Sequence, residues 1–517
     1  MSERLWDIPP TWEWSRIGEL GNVVSGGTPP TKVSKYWEGD IIWFAPSDLT
    51  GYKRKFIERG AKTLTKVGLA KSSAKLMPAG SVMFSSRAPV GYTAINTKPS
   101  ATNQGFKSIV PHDGLFNEYL YYYLQAAKQI AEQRATGTTF KELSGSAFGA
   151  LPVPLAPTCE QRRIVEKIEA LFAEIDKGVE SLQAAKSTLD LYRKSLLKSA
   201  FEGRLTADWR SRNSDKLEDS DTLLSRIRKE REANYQAALS DWQRAVANWK
   251  ERGEQSKKPA KPRKPRKLSI TEDIVALAGW ARVPLGLLIA YPIYGTSKKC
   301  SYGVGEKGVL RIPNLAALYI DQSDLKSADF DEAENDKYSL IEGDVLTIRS
   351  NGSLSVVGKP AIVREQDTDL LFAGYLIRLR PIMATLVPMN LVYMMMAPIV
   401  REQIEIKAKS TSGVNNISAR ELQELLVPIC APDEQAEIVR ILDARFEALE
   451  FLDLEINVAF TRAEALRQSI LKQAFSGKLV PQDPKNEPAS VLLSRIKAES
   501  APKRRKPATR ERKAAHR

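Results

Sequence analysis

The second half of this chain repeats the first, so its fold has to accommodate two copies of one plan. The segment EQRRIVEKIEALF, starting at Glu160, returns as EQAEIVRILDARF at Glu434, 274 positions later. At the same spacing Arg193, Ser195, Leu197, Lys198, Ala200, Phe201, Gly203 and Leu205 meet Arg467, Ser469, Leu471, Lys472, Ala474, Phe475, Gly477 and Leu479. An ungapped offset held over more than forty residues is difficult to obtain by chance. A further echo, LLSRIRKE from Leu223 against LLSRIKAE from Leu492, comes at an offset of 269, so one copy carries a five-residue insertion. Two copies only, each far longer than a solenoid unit, mean a duplicated domain pair. Such a chain presents two similar surfaces.

The closely matched part reads as helix. From Ile164 two series recur every seven positions: Ile164, Leu171, Gly178, Ala185, Tyr192 and Ile168, Ile175, Leu182, Leu189, Leu196. The second copy has Ile438, Arg445, Leu452, Ala459, Leu466 and Leu442, Leu449, Ile456, Ala463, Ile470, with Arg445 the exception. Heptads sustained this long predict a helix–helix seam. Thr158 and Gln161 have the spacing of a capping box, and Gly203 and Gly477 stand where each helix should stop. Each helix would span about 60 Å at 1.5 Å per residue. With two such helices in one chain, packing one on the other buries both seams; the competing expectation is that each lies on its own globular domain.

Residues 1–157 and 268–432 have a different character. Short apolar runs such as DIIWFA, GSVMFSS, GDVLTIR and YLIRLRP are separated by Gly, Pro, Asn and Ser, with helical stretches at 119–134 and 389–406. That pattern predicts mixed α and β domains. They are distant copies as well: Trp12, Gly18, Gly27 and Thr28 align with Trp280, Gly286, Gly295 and Thr296 at an offset of 268. The expected class is α+β, with globular domains at 1–157 and 268–432 and conserved spacer helices at 158–205 and 433–480. A helical connector with a basic Pro/Lys linker fills 206–267, and a basic tail follows from 481 to 517.

The net charge of +15 looks like a nucleic-acid signal until it is divided along the chain. Residues 257–267 hold seven positive side chains and no negative one, and residues 501–517 hold eight and one, so two short runs carry +14. The first domain stands at +6 and the second at −3. Both basic runs lack apolar periodicity and read as solvated linker and tail, serving solubility or nonspecific phosphate attraction. The N-terminus has no signal-peptide pattern and the longest apolar run, near 391–400, is too short for a bilayer, so a cytoplasmic protein is expected. Cys159, Cys300 and Cys430 form no CxxC pair and read as reduced thiols.

Catalytic chemistry is hard to assemble here. Of the two histidines, His516 lies in the tail and His112 sits alone in a PHDG turn. The string GVGEKG (Gly303, Gly305, Gly308) satisfies a dinucleotide-loop expression, but strand-like residues follow it where a helix should open, so a turn is expected. No GxxxxGK[ST] phosphate loop occurs, and no metal cluster is foreseen. Polar recognition chemistry is plentiful instead. Residues 51–75 carry Lys53, Arg54, Lys55 and five further cations against one acid, Glu58. The stretch from Ser25 offers Thr28, Lys32, Lys35 and Tyr36; its counterpart from Tyr294 offers Thr296, Ser297, Lys298 and Lys299. Arg87, and Arg349 with Asn351, are able to make bidentate contacts with guanine and adenine edges; each also fits a loop salt bridge or turn.

The order SGGTP, SSRAPVGY, ATNQGFKSIVP, TGTTFKELS, LPVPLAPTCEQRRIVEKIEALF and LLKSAFEGRL, followed by its second copy, resembles the DNA specificity subunit of type I restriction-modification systems from about Trp12 to Leu479. The resemblance implies two target recognition domains, each reading half of a bipartite sequence, held apart by an antiparallel helix pair. It adds Gln104, Thr138, Thr139, Asn415 and Asn416 to the candidate DNA contacts. The implied seam residues are Ile164, Ile168, Leu171, Ile175, Leu182, Leu189 and Leu196 against Ile438, Leu442, Leu449, Leu452, Ile456, Leu466 and Ile470. The implied partners are double-stranded DNA, two modification subunits that supply S-adenosylmethionine and adenine methylation, and restriction subunits that use ATP and Mg2+. This chain would itself bind no cofactor and catalyse nothing. A coiled-coil scaffold that joins proteins without reading DNA is the alternative, and a stand-alone methyltransferase would need a motif such as NPPY, which is missing.

Overall fold

The structure, a computed structural model, describes residues 5–87, 89–137, 141–253, 258–269, 277–316, 318–409 and 413–500. It divides into two compact units, residues 1–183 with 457–517, and residues 184–456, so both divisions fall inside the long helices. Those helices form where the heptads place them, Thr158–Phe201 and Pro432–Phe475, 44 residues each and about 66 Å long. Both stop on a glycine in the left-handed conformation, Gly203 at φ +73° and Gly477 at φ +70°. The amides of Arg204 and Lys478 then reach the Ser199 and Gln473 carbonyls at 2.9 Å, a Schellman closure of each helix end.

In the first unit the start of the first helix lies beside the end of the second. Arg467 pairs with Asp176 and lies 5.0 Å over the Phe172 ring, and Arg163 donates to the Pro481 carbonyl at 3.3 Å. Within the second unit Lys186 pairs with Asp453 at 3.7 Å and Thr206 donates to Glu434 at 2.6 Å. Numbers rise on one partner as they fall on the other, so each unit contains an antiparallel stretch. Ile168, Ile175, Leu182, Leu189 and Leu196 are buried or half-buried, as are Leu442, Leu449, Ile456 and Ile470. On the other line Ile164 and Ile438 are buried and Leu171 half-buried, and beyond them burial shifts by one residue to Phe172, Val179, Lys186, Arg193 and Phe446, Asp453, Phe460, Arg467. Leu452 and Leu466, expected in the seam, are 48% and 51% exposed. Positions i+3 and i+4 flank the same line on a helix turning about 100° per residue, and only the side on which the partner lies selects between them.

The two domains share one topology despite their weak sequence match. In the first, a five-stranded sheet runs in the order Gly21–Ser25, Phe106–Pro111, Val82–Ser86, Val90–Asn96, Phe56–Ile57, beside a three-stranded sheet of Lys62–Leu64, Trp37–Phe44 and Ser100–Thr102. The second has Ile293–Tyr294, Leu376–Leu379, Val345–Ile348, Pro360–Ile362 in one sheet and Lys326–Ala328, Lys307–Leu310, Leu371–Phe372 in the other. The central strands VMFSS and VLTI are buried throughout, which is why they read as unbroken apolar or small-residue runs. Their registers match: Val82 faces Ile109 and Val345 faces Leu379. Each domain closes with an antiparallel ladder, Glu13–Arg16 on Pro152–Leu155 and Ala281–Pro284 on Leu426–Ile429.

A repeated set of buried contacts fixes each domain to its helix. Gln161 does not form the expected capping box; it is fully buried, accepts from the Phe116 amide at 2.9 Å and donates to the Ala156 carbonyl at 2.8 Å. Gln435 accepts from the Val387 amide at 2.9 Å and donates to the Thr385 and Cys430 carbonyls at 2.9 and 2.8 Å. Two turns further on, Tyr122 donates to Glu169 at 3.2 Å with its ring 5.9 Å from Phe172, and Tyr393 donates to Asp443 at 2.6 Å with its ring 5.4 Å from Phe446. The neighbouring glutamates are buried too. Glu434 accepts from Thr206, from the Trp280 indole at 3.1 Å and from Arg210, while Glu160 accepts from Gln482. The segments after the long helices complete these cores: Leu223 and Ile227 of helix Ser220–Glu251 are buried in the second unit, and Leu492 and Ile496 of helix Ala489–Ser500 in the first.

Two predictions follow from this clamp. Gln435→Leu strands one amide and two carbonyls away from water, at about 1–3 kcal/mol each, so denaturant melts should show a loss of several kcal/mol; an unchanged midpoint would contradict the clamp. Burial pushes the Glu160 carboxyl above the usual carboxylate range, against the opposing influence of the Trp12 indole, Gln482 and Arg163. A carboxyl raised in the folded state contributes most below its unfolded pKa, and that contribution is lost as pH rises through the folded value. Glu160→Gln should therefore flatten the fall in Tm as pH rises above the ordinary carboxylate range; parallel pH profiles for variant and wild type would rule this out.

Candidate nucleic-acid interface

In the first domain the loop carrying Thr28 leaves the sheet through two glycines. The Gly26 amide donates to the Phe106 carbonyl at 3.3 Å and the Gly27 amide to Thr102 at 2.8 Å. A Cβ on Gly26 would lie 1.8 Å from the Asn103 oxygen, and one on Gly27 2.3 Å from Ser73 Oγ, so both positions require glycine. Thr28 then donates to the Gln104 side chain, whose backbone carbonyl accepts from Lys107 at 3.0 Å. Lys107 and Arg87 both pair with Glu142, at 3.5 and 3.4 Å. Thr28, Arg87 and Gln104 are thus brought together around Lys107 and Glu142, two residues that the sequence reading did not single out.

The other predicted contacts of this domain scatter. Lys32, Lys53 and Arg54 are exposed, and Lys35 is exposed with its ammonium 5.8 Å over the Tyr36 ring. Lys55 is withdrawn from the set: it pairs with Glu118 and Glu169, the latter on the first long helix, and its side chain is 16% exposed. Those carboxylates raise its pKa against the opposing effect of burial, the largest single influence, so its charge is already committed. Thr138 and Thr139 lie outside the described residues.

In the second domain the Gly295 amide donates to the Leu376 carbonyl at 3.2 Å and the Thr296 amide to Phe372 at 2.8 Å. Leu376 begins the strand equivalent to Phe106, so Gly295 matches Gly26 and Thr296 matches Gly27, one residue away from the offset of 268 read in the sequence. Thr296 is consequently 4% exposed, and its hydroxyl accepts from the Lys298 amide at 3.1 Å, holding a turn instead of facing outward. Lys298 pairs with Glu334 at 2.8 Å; Ser297 and Lys299 are exposed. Arg349 lies 4.8 Å over the Tyr294 ring and donates to Asn416 at 3.1 Å. Asn351 faces Asn415 in a two-residue ladder, and Tyr294 accepts from the Ala419 amide at 2.8 Å. Tyr375, 63% exposed, accepts the Arg349 amide on its carbonyl at 2.8 Å.

One backbone frame underlies both clusters. The Leu143 amide donates to the Ser86 carbonyl and the Ile417 amide to the Arg349 carbonyl, each at 2.9 Å. Glu142 and Asn416 therefore hold the same place, two residues before the helix-capping serines Ser144 and Ser418. Each orients an arginine from the adjoining strand end, Arg87 in one case and Arg349 in the other. A carboxylate beside one guanidinium only accepts; an amide beside the other both donates and accepts. The same frame thus presents different hydrogen-bonding patterns in the two domains.

The GVGEKG string behaves as a turn, with Gly303 at φ +66° and Gly305 at φ +80° leading into the strand Lys307–Leu310. Among the described residues no group of three His, Cys, Asp or Glu side chains is arranged to hold a metal, and no helix is long and apolar enough to cross a membrane.

Residues 9–182 match the family model for the type I restriction modification DNA specificity domain. The type I restriction enzyme MjaIX specificity subunit of Methanocaldococcus jannaschii is 35% identical over 196 residues, 38% of this chain and 44% of that protein. The EcoKI specificity subunit of Escherichia coli K12 is 25% identical over 459 residues, 86% of each. A solved chain, described in connection with complex assembly and conformational transition of the type I R-M system, shares the fold with a TM-score of 0.60 at 19% identity, covering 92% of this chain and 100% of that one. Two domains of one topology on a repeated helix pair, with these likenesses along the chain, make it similar over most of its length to the type I restriction-modification DNA specificity subunits.

Proposed function

We propose that this chain reads a bipartite DNA target, one half-site per domain, and that the long helices set the unspecified gap between them. As a specificity subunit it is not an enzyme and binds DNA within a restriction-modification complex. The observation that carries the two-reader proposal is the shared backbone frame with unlike side chains, Arg87 with Glu142 and Arg349 with Asn416. Arg87, Gln104 and Thr28, with Lys107 and Glu142, are the proposed contacts of the first domain. Arg349, Asn351, Asn415 and Asn416, with Tyr294 and Tyr375, are those of the second; the exposed Lys32, Lys35, Lys53, Arg54 and Lys299 would position phosphates. The proposed partners are two modification subunits, which bring S-adenosylmethionine and methylate adenine, and restriction subunits using ATP and Mg2+, all in the cytoplasm. A scaffold without DNA reading has no use for an arginine presented by the same backbone frame in each domain, and sequence-independent binding in competition assays would favour it.

Mapping methylated positions in DNA from cells carrying the intact operon should reveal paired sites a fixed distance apart; random or single contiguous methylation would sink the proposal. Arg349→Ala is predicted to weaken target binding by about 1–3 kcal/mol, roughly ten- to a hundredfold, and to relax one half-site only. Loss of discrimination in both halves would argue against one domain per half-site. Matched insertion of whole helical turns into Thr158–Phe201 and Pro432–Phe475 should lengthen the gap while the half-sites stay the same. Altered half-sites would refute this division of labour.

A further inference from the structure

The linker expected to be solvated is laid down on the protein. Residues 258–269 run back along the connector helix Ser220–Glu251: the Trp242 indole donates to the Pro259 carbonyl at 3.0 Å and Arg231 to the Arg266 carbonyl at 3.0 Å. The strap is also tied to the second domain, where Arg266 pairs with Glu424 at 3.2 Å and Arg263 donates to the Tyr291 hydroxyl at 2.8 Å. Its sequence has a period of three. Pro259, Pro262 and Pro265 fix their own φ and keep the preceding residue out of the helical region, which favours a threefold extended turn. Burial follows the same period: Pro259, Pro262, Pro265 and Leu268 are half-buried, whereas Lys258, Lys261, Lys264 and Lys267 are exposed. Four ammonium groups therefore share one outer edge, about 9 Å apart along the strap. Among the described residues no carboxylate pairs with any of them; Lys261 lies 5.5 Å over the Trp242 ring.

We propose that this lysine edge is a second DNA-binding element, which follows the phosphate backbone beside the half-site read by the second domain. Position supports it. Tyr291, which holds Arg263, is three residues from Tyr294, which carries Arg349, at most about 10 Å of chain. Glu424, which holds Arg266, ends the helix whose first amide donates to Tyr294. Charge supports it as well. The second domain stands at −3 where the first stands at +6, so a domain that would approach a polyanion has no net positive charge of its own, and residues 258–267 supply six cations. The edge carries no apolar side chain for a protein partner to bury, which favours a phosphate backbone over a protein surface.

The inference rests on the DNA-reading function proposed above, and its test separates the two. In the full-length chain, Lys258, Lys261, Lys264 and Lys267 are changed together to Gln, leaving the anchors Arg263 and Arg266 intact; an unchanged Tm verifies the fold. Binding to a duplex containing the mapped target is measured across a salt series. Loss of four phosphate contacts should reduce the slope of log K against log salt by about 3–4, with the methylated sequence unchanged, since the edge touches no base. An unaltered slope overturns the proposal, and an unaltered slope with lost subunit assembly assigns the lysines to a protein contact instead. A reduced slope in a chain whose wild type shows no target preference would retain the strap and reject the reading function.

Discussion

The buried Glu–Gln pair at the start of each long helix is the constraint on which the rest of this structure depends. Gln161 and Gln435 each bond backbone groups of loops that belong to the adjoining domain, and Glu160 and Glu434 gather donors from segments that follow the opposite helix. Each of the four is at most 1% exposed, so each bond is made where the alternative is an unsatisfied polar group. A domain held in this way cannot swivel on its helix. The proposed reading of two half-sites would depend on that fixed joint between each domain and its helix.

The tyrosine contacts add direction to this clamp. Tyr122 and Tyr393 come from domain helices of weakly matched sequence, yet each reaches a carboxylate and a phenylalanine three residues apart on its long helix. Where the domains must meet the spacer they have stayed alike. They differ where they would face DNA, with Glu142 in one and Asn416 in the other on the same pair of backbone bonds. Duplication has kept the joints and released the tips.

Physical reasons also explain which expectations failed. Heptad spacing named lines of buried or half-buried positions on both helices and slipped by a residue at Leu452 and Leu466, because Leu452 and Asp453 satisfy the same period until a partner helix selects a side. The glycine alignment slipped by one at Thr296, since identical letters lined up while the sheet requires Gly295 at the point of closest backbone approach. Lys55 looked like one of many cations in a basic loop; two carboxylates distant in sequence claim it. The Pro/Lys linker has no apolar period of its own and gave no local sign of docking, because its binding site is the connector helix.

The internal repeat alone determined that there are two halves, where the long helices start and stop, and that two globular domains share one kind of spacer helix. These are consequences of local chemistry: heptad periodicity, glycine at helix ends, and an offset that survives duplication. Only the tertiary structure decided which residues meet. The gathering of Arg87 with Glu142 and Arg349 with Asn416, the burial of Thr296 and the lysine edge on the strap all depend on contacts between segments that are remote in the chain. Side-chain environment is set by those contacts, and no local pattern encodes them.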